Sequence, residues 1–192
     1  MCVRVCQLYG IGSCKVSNQE SLVANVIVRR AELSEKVAIR NLLELYTHDL
    51  SEFWPNEVDE HGLFGYPTLD YYWREPDHTP FIFTVDDNYV GFALVNNDVC
   101  LPENKLWMAQ FFVMRRYRGR GIAREAAIAI FDEMPGKWEV GQIPLNKPAQ
   151  IFWRKTILAY TKNKFNETYL ENDAWHGTLQ WFDNSRPPLE VS

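Results

Sequence analysis

The chain has 192 residues, of which 46 % are hydrophobic, enough for one domain with a buried core. Its 20 Lys and Arg against 25 Asp and Glu leave a net charge of −5, which argues against general nucleic-acid binding, an activity that rests on neutralising phosphates. No run approaches the ~20 apolar residues of a membrane helix. Arg4 and Gln7 break the N-terminal segment where a signal peptide would be continuous, and Cys2, Cys6, Cys14 and Cys100 form neither a Cys-x-x-Cys metal pair nor a disulfide framework.

These features predict a cytoplasmic protein with no metal site and no membrane contact. Residues 1–24 form no clear element and read as an N-terminal extension, with the domain proper at 25–183 and a tail at 184–192. Val26 to Ala31 is rich in β-branched residues and reads as a strand. Ser34 is placed to cap a helix through about Tyr46, because Ala38, Ile39, Leu42, Leu43 and Tyr46 recur at helical spacing. From Thr47 to Pro80 the chain is punctuated by Pro55, Gly62, Gly65 and Pro67, with a short helix expected near Leu69 to Arg74.

Phe81 to Val85 and Tyr89 to Val95 read as a hairpin turned at Asp86-Asp87-Asn88. A second turn at Asn96-Asn97-Asp98 precedes a long strand from Lys105 to Met114, so this part should be antiparallel. The pattern then switches to a helix. Ile122, Ala123, Ala126, Ala127, Ile130, Phe131 and Met134 keep a three-four spacing until Pro135-Gly136. A strand at Trp138 to Gln142, a helix from Pro148 to about Tyr160, and closing strands at Phe165 to Tyr169 and His176 to Phe182 complete a mixed α/β domain.

The segment between the long strand and its helix carries the chemistry. Arg115, Arg116, Arg118, Arg120 and Arg124 crowd around Gly119 and Gly121. A strand running through glycines into a helix presents free N–H groups and the positive end of the helix dipole, which suits a phosphate or pyrophosphate. The same run is also compatible with a solvated charged turn. It lacks the third glycine of a dinucleotide fingerprint and the Gly-Lys-Ser/Thr of a P-loop.

Arg118-Gly119-Arg120-Gly121-Ile122-Ala123 resembles the acetyl-CoA signature of the GNAT superfamily, in which Arg or Gln is followed at fixed spacing by Gly and by Gly or Ala: here Arg118, Gly121 and Ala123. Val113 and Tyr117 occupy positions where that family commonly has Val and Tyr. Downstream, Asn146-Lys147-Pro148-Ala149-Gln150-Ile151-Phe152-Trp153-Arg154-Lys155 is similar to the family's Asn-x-x-Ala-x-x-aromatic-Tyr-x-Lys segment. The likeness in element order runs from Val26 to Phe182.

The resemblance implies a GNAT-like, mostly antiparallel sheet, splayed between its fourth and fifth strands and flanked by helices. It implies acetyl-CoA as co-substrate, with backbone groups of Phe112, Val113 and Met114 beside the pantetheine arm. Arg118, Gly119, Arg120, Gly121, Ile122, Ala123 and Arg124 would lie at the pyrophosphate, and Asn146, Phe152 and Trp153 along the arm. Trp153 is equally readable as core packing. It stands where many members carry a Tyr that protonates the departing thiolate, and an indole is a donor only.

The implied activity is direct transfer of an acetyl group to a small-molecule or protein amine. A non-catalytic acyl-CoA sensor is the alternative, and a phosphate-turn protein binding nucleotide or RNA a more distant one. The fourth strand carries no Glu to act as base, which turns attention to Glu139, read either as pointing into the splay or as facing solvent. Similar folds build the acceptor wall from their first helices, here Tyr46, Asp49, Glu52 and Tyr71. Members are often dimers, so a homodimer is among the expectations.

Overall fold

The computed structural model describes residues 25–185; the expectations for 1–24 and for most of the tail lie outside them. Seven strands form one sheet: β1 (Ile27–Arg30), β2 (Thr79–Val85), β3 (Asn88–Asn96), β4 (Leu106–Val113), β5 (Lys137–Gln142), β6 (Asn166–Glu171) and β7 (His176–Asp183). Their order is β1-β2-β3-β4-β5-β7-β6, antiparallel at every junction except β4–β5. Three helices flank it: α1 (Lys36–Leu50), α2 (Ile122–Glu133) and α3 (Lys147–Tyr160).

β2 sits where both faces of the sheet are covered, which is why Thr-Pro-Phe-Ile-Phe-Thr-Val is buried throughout and does not alternate with polar residues. The β2–β3 hairpin closes through Asp86 and Asp87, at φ 49° and 61°, the left-handed pair that a two-residue turn needs. On one face Ile39, Leu42 and Leu43 of α1 pack against Ile82, Phe92, Leu94 and Phe112. On the other, α2 and α3 bring Ile130, Phe131, Trp153 and Ile157 against Phe81, Phe83, Trp138 and Val140. Each such side chain contributes roughly 1.5–3 kcal/mol by leaving water.

The start of α1 differs from the cap expected at Ser34. The chain enters through a single 3-10 turn at Leu33–Glu35, and Glu35 accepts the Glu32 N–H at 3.0 Å. Glu35 also holds Arg29 of β1 through two contacts of 2.7 Å and takes the Tyr89 hydroxyl at 2.9 Å. A carboxylate with three partners closes the turn better than a hydroxyl. The helix then runs one turn past Tyr46, to Leu50.

Two features of β4 place the site. Its pairing with β5 covers only Leu106↔Trp138 and Trp107↔Glu139, after which the strands part. Along β3 the register jumps from Leu94↔Gln110 to Val95↔Met108, leaving Ala109 unmatched in a bulge.

Candidate active site

The gap between β4 and β5 opens into a cleft of about 810 Å³, lined by β4, the β4–α2 turn, the first turns of α2 and α3, and the last turn of α1 with the residues after it. Backbone hydrogen bonding decides which groups of β4 face the gap. Met114 donates its N–H to the Val90 carbonyl at 2.9 Å. Since successive residues alternate, the polar groups of Phe112 and Met114 point to β3, and those of Phe111 and Val113 point to the gap. This corrects the expectation for 112–114: only Val113 of those three presents its backbone there, and Phe111, unforeseen, does the same. These groups have no β5 partner, and although the Val113 carbonyl is taken by Arg118, the Val113 N–H and the Phe111 groups leave an edge to which an extended amide chain can add as another strand.

The turn after β4 is built for close approach. Gly119 and Gly121 adopt φ of +75° and +85°, and a Cβ on Gly119 would meet nothing within 4 Å, so the backbone is bare on that side. Gly121 is the N-cap of α2, whose first N–H groups open toward the cleft. Ala123 and Arg124 line the cleft, whereas Ile122 is buried in the core and Arg120 is exposed outside it.

The arginines divide into two groups. Arg118 donates from Nε to the Val113 carbonyl at 2.7 Å and from its terminal nitrogen to Asp49 at 2.6 Å, with its guanidinium 5.6 Å from the Phe112 ring centre. Arg115 reaches the same Asp49 carboxylate at 2.9 and 2.7 Å. These hydrogen bonds outweigh the desolvation of Asp49 and hold its carboxyl below the usual range. Among the described residues, Arg120 and Arg124 take part in no ion pair.

On the opposite wall Asn146 caps α3, its side-chain oxygen accepting the Ala149 N–H at 3.1 Å. Phe152 stacks on Phe111 with centres 6.0 Å apart, and Trp153 meets Phe111 edge-on at 5.0 Å. Trp153 is both buried in the core and part of the cleft lining.

Tyr46, Asp49 and Glu52 all reach the cleft, joined by Leu50 and Phe53. The last two fall within the Leu45 to Trp54 stretch read as the acceptor wall, and they continue the helical spacing from Tyr46. Burial pushes the Tyr46 hydroxyl well above its ordinary pKa. Tyr71 does not belong to this wall; it lies at the surface against His78, 6.1 Å between ring centres.

Glu139 is the other correction. It does not line the cleft. Its carboxylate is fully buried and accepts the Cys100 N–H at 2.7 Å, the Leu101 N–H at 2.8 Å and the Asn104 side-chain amide at 2.8 Å. Three donors from the β3–β4 connection turn it away from the gap and make it the anchor of that loop.

Comparison with known proteins agrees with this fold. The model of the acetyltransferase (GNAT) family matches residues 39–157, and the chain belongs to that family. It resembles in structure an acetyltransferase from Thermus thermophilus (TM-score 0.60, 13 % identity, 83 % of this chain and 96 % of that one). It also resembles the ribosomal-protein-S18-alanine N-acetyltransferase from Escherichia coli (0.56, 12 %, 88 % and 99 %). A third likeness is to the spermidine N-acetyltransferase from Vibrio cholerae in complex with CoA and spermine (0.51, 14 %, 83 % and 95 %). None of the curated proteins compared with the chain matches it in sequence. No helix among the described residues is long and apolar enough to cross a membrane.

Proposed function

We propose that this cleft binds acetyl-CoA and an amine together and that the acetyl group passes directly between them. One observation carries the reading: β4 and β5 part after two paired positions, and one cleft is lined both by the unpaired Phe111–Val113 end of β4 and by the bare glycine turn at the N-terminus of α2. The residues present fit the co-substrate. Phe111 and Val113 offer backbone groups to its amides, the Gly119–Gly121 turn with Arg124 suits its diphosphate, and Phe152 and Trp153 give the arm an apolar side. Acetyl-CoA supplies the activated acyl thioester.

The chain must then do three things. Unpaired N–H groups of β4 polarise a carbonyl placed in the gap. A carboxylate must take the proton of an incoming ammonium, since only the neutral amine attacks. Asp49 is committed to two arginines, which leaves Glu52 for this task, directly or through water. A proton must also be held ready for the departing thiolate. Tyr46 lines the cleft and its burial keeps the hydroxyl protonated, so it takes the part that Trp153 cannot.

Trp153 in the usual tyrosine position also favours a second reading, a sensor that binds acyl-CoA without turning it over. Release of free thiol from acetyl-CoA separates the two. Acceptor-dependent release supports transfer; tight binding with no release from a broad amine panel assigns the sensor.

A further inference from the structure

Two tryptophans close the narrow end of the β4–β5 gap. With the diphosphate at the Gly119–Gly121 turn and the amides of the arm on Val113 and Phe111, the acyl thioester comes next along β4. It points toward Ala109 and the place where the strands part, beside the Trp107↔Glu139 pairing. Trp107 reaches from β4 across to β5, where a Cβ on Gly141 would collide with its ring. Trp175, from the β6–β7 turn, covers the same glycine, with two ring carbons 2.7 and 2.8 Å from that Cβ position. The two indoles meet edge-on, 5.2 Å between ring centres.

These rings roof one face of the sheet. Trp107 lies opposite Asn96, whose side chain donates to the Tyr72 hydroxyl in the core beneath α1. On the other face Met108 and Val140 belong to the core beneath α2 and α3. The end of the gap is therefore closed above and below.

The roof is held rigidly although its turn is exposed from Glu171 to Ala174. The Asn172 side-chain oxygen accepts the Ala174 and Trp175 N–H groups, each at 3.0 Å, and the Trp175 indole donates to the Thr178 carbonyl at 3.3 Å. Gly177, at φ +145°, has no room for a Cβ beside the Gln142 carbonyl, so it brings the start of β7 close to β5 and lets Trp175 lean over the gap. Trp107 is buried and Trp175 half-buried, which makes Trp175 the outer ring, the one whose removal opens the gap to water.

We infer that Trp107 and Trp175 set the length of the acyl group the site accepts, admitting a short chain such as acetyl and rejecting a medium chain. This rests on the proposed acetyl-CoA cleft and adds the acyl selectivity to it.

The test is equilibrium titration of the protein with CoA, acetyl-CoA and hexanoyl-CoA, a readout that needs no turnover. Hexanoyl-CoA should bind the parent about tenfold more weakly than acetyl-CoA, because its added methylenes meet rings packed too tightly to yield. In Trp175→Ala the order should reverse, with hexanoyl-CoA about threefold the tighter, since the same methylenes then gain apolar contact against Trp107. Trp175→Phe keeps a ring over Gly141 and serves if the alanine variant does not fold; it should reduce the parent's preference about threefold. Free CoA should bind all three proteins alike. Hexanoyl-CoA binding the parent as tightly as acetyl-CoA overturns the inference. So does an unchanged acetyl-to-hexanoyl ratio in the folded variants, which would make Trp175 a packing residue alone. Failure of free CoA to bind the parent overturns the underlying cleft assignment instead, and that titration is done first.

Discussion

Replacing Glu139 should damage the fold and spare the cofactor site. The carboxylate is fully buried and accepts three hydrogen bonds of 2.7–2.8 Å from Cys100, Leu101 and Asn104. Removing an acceptor strands its donors at about 1–3 kcal/mol each when they stay buried. Cys100 and Leu101 are half-buried and can regain some water, so Glu139→Ala should cost about 3–4 kcal/mol, near the low end of the sum. Glu139→Gln keeps one carbonyl oxygen but turns an N–H2 toward the remaining donors, and should cost about 1–2 kcal/mol. Urea unfolding at pH 7 reads both values, and titration of the folded variants with acetyl-CoA reads the site. The expected pattern is graded loss of stability with acetyl-CoA affinity within about twofold of the parent. A Glu139→Gln protein as stable as the parent, yet unable to release thiol, would refute the argument and return Glu139 to the chemistry.

The Arg29 guanidinium lowers the Glu35 carboxyl from its ordinary value of 4.5 to about 2, against the opposing effect of burial. The interaction is fully present above pH 4.5 and is lost as pH falls through 2, so Glu35→Gln should cost roughly 2–3 kcal/mol at neutral pH and only a small remainder near pH 2. Paired denaturant melts across that range check it. Asp49→Asn frees Arg115 and Arg118 beside the glycine turn; acetyl-CoA, an anion, should bind about threefold more tightly and with a steeper salt dependence, measured by calorimetry at two ionic strengths. Tyr46→Phe should leave acetyl-CoA affinity unchanged while lowering kcat by about ten- to a hundredfold, as expected for loss of a positioned proton donor. An equal fall in affinity and kcat would make Tyr46 a packing residue.

Much of this structure is legible in the chain because its elements are locally consistent. The three-four spacing from Ile122 to Met134 specifies α2, and the apolar run Phe81 to Val85 specifies a strand covered on both faces. The turn at Gly119 and Gly121 is legible too, since the chemistry of a helix N-terminus is local. What escaped the sequence depends on contacts between distant segments. Asp49 is 66 and 69 residues from the arginines that occupy it, so its carboxylate reads as free until the fold joins α1 to the turn. Glu139 lies on a strand whose alternation allows either face, and donors 35–39 residues upstream decide the matter. The side of β4 that Phe111 presents is set by its pairing with β3 beyond the bulge at Ala109, which no period-two pattern reveals. Tyr71 sits on a separate short turn that faces His78, away from the wall formed by α1.

The continuity of gap, glycine turn and helix N-terminus is tested most directly by a thermal melt with and without acetyl-CoA, run on the parent and on Gly121→Trp. A ligand at a hundredfold excess over its Kd stabilises the native state by about 2.7 kcal/mol, which for a domain of this size raises Tm by roughly 5–10 °C. The expected result is that rise in the parent and its loss in the variant, whose side chain would stand at the left-handed cap of α2 where the diphosphate is assigned. No shift in the parent at saturating acetyl-CoA, or the same shift in both proteins, would contradict it.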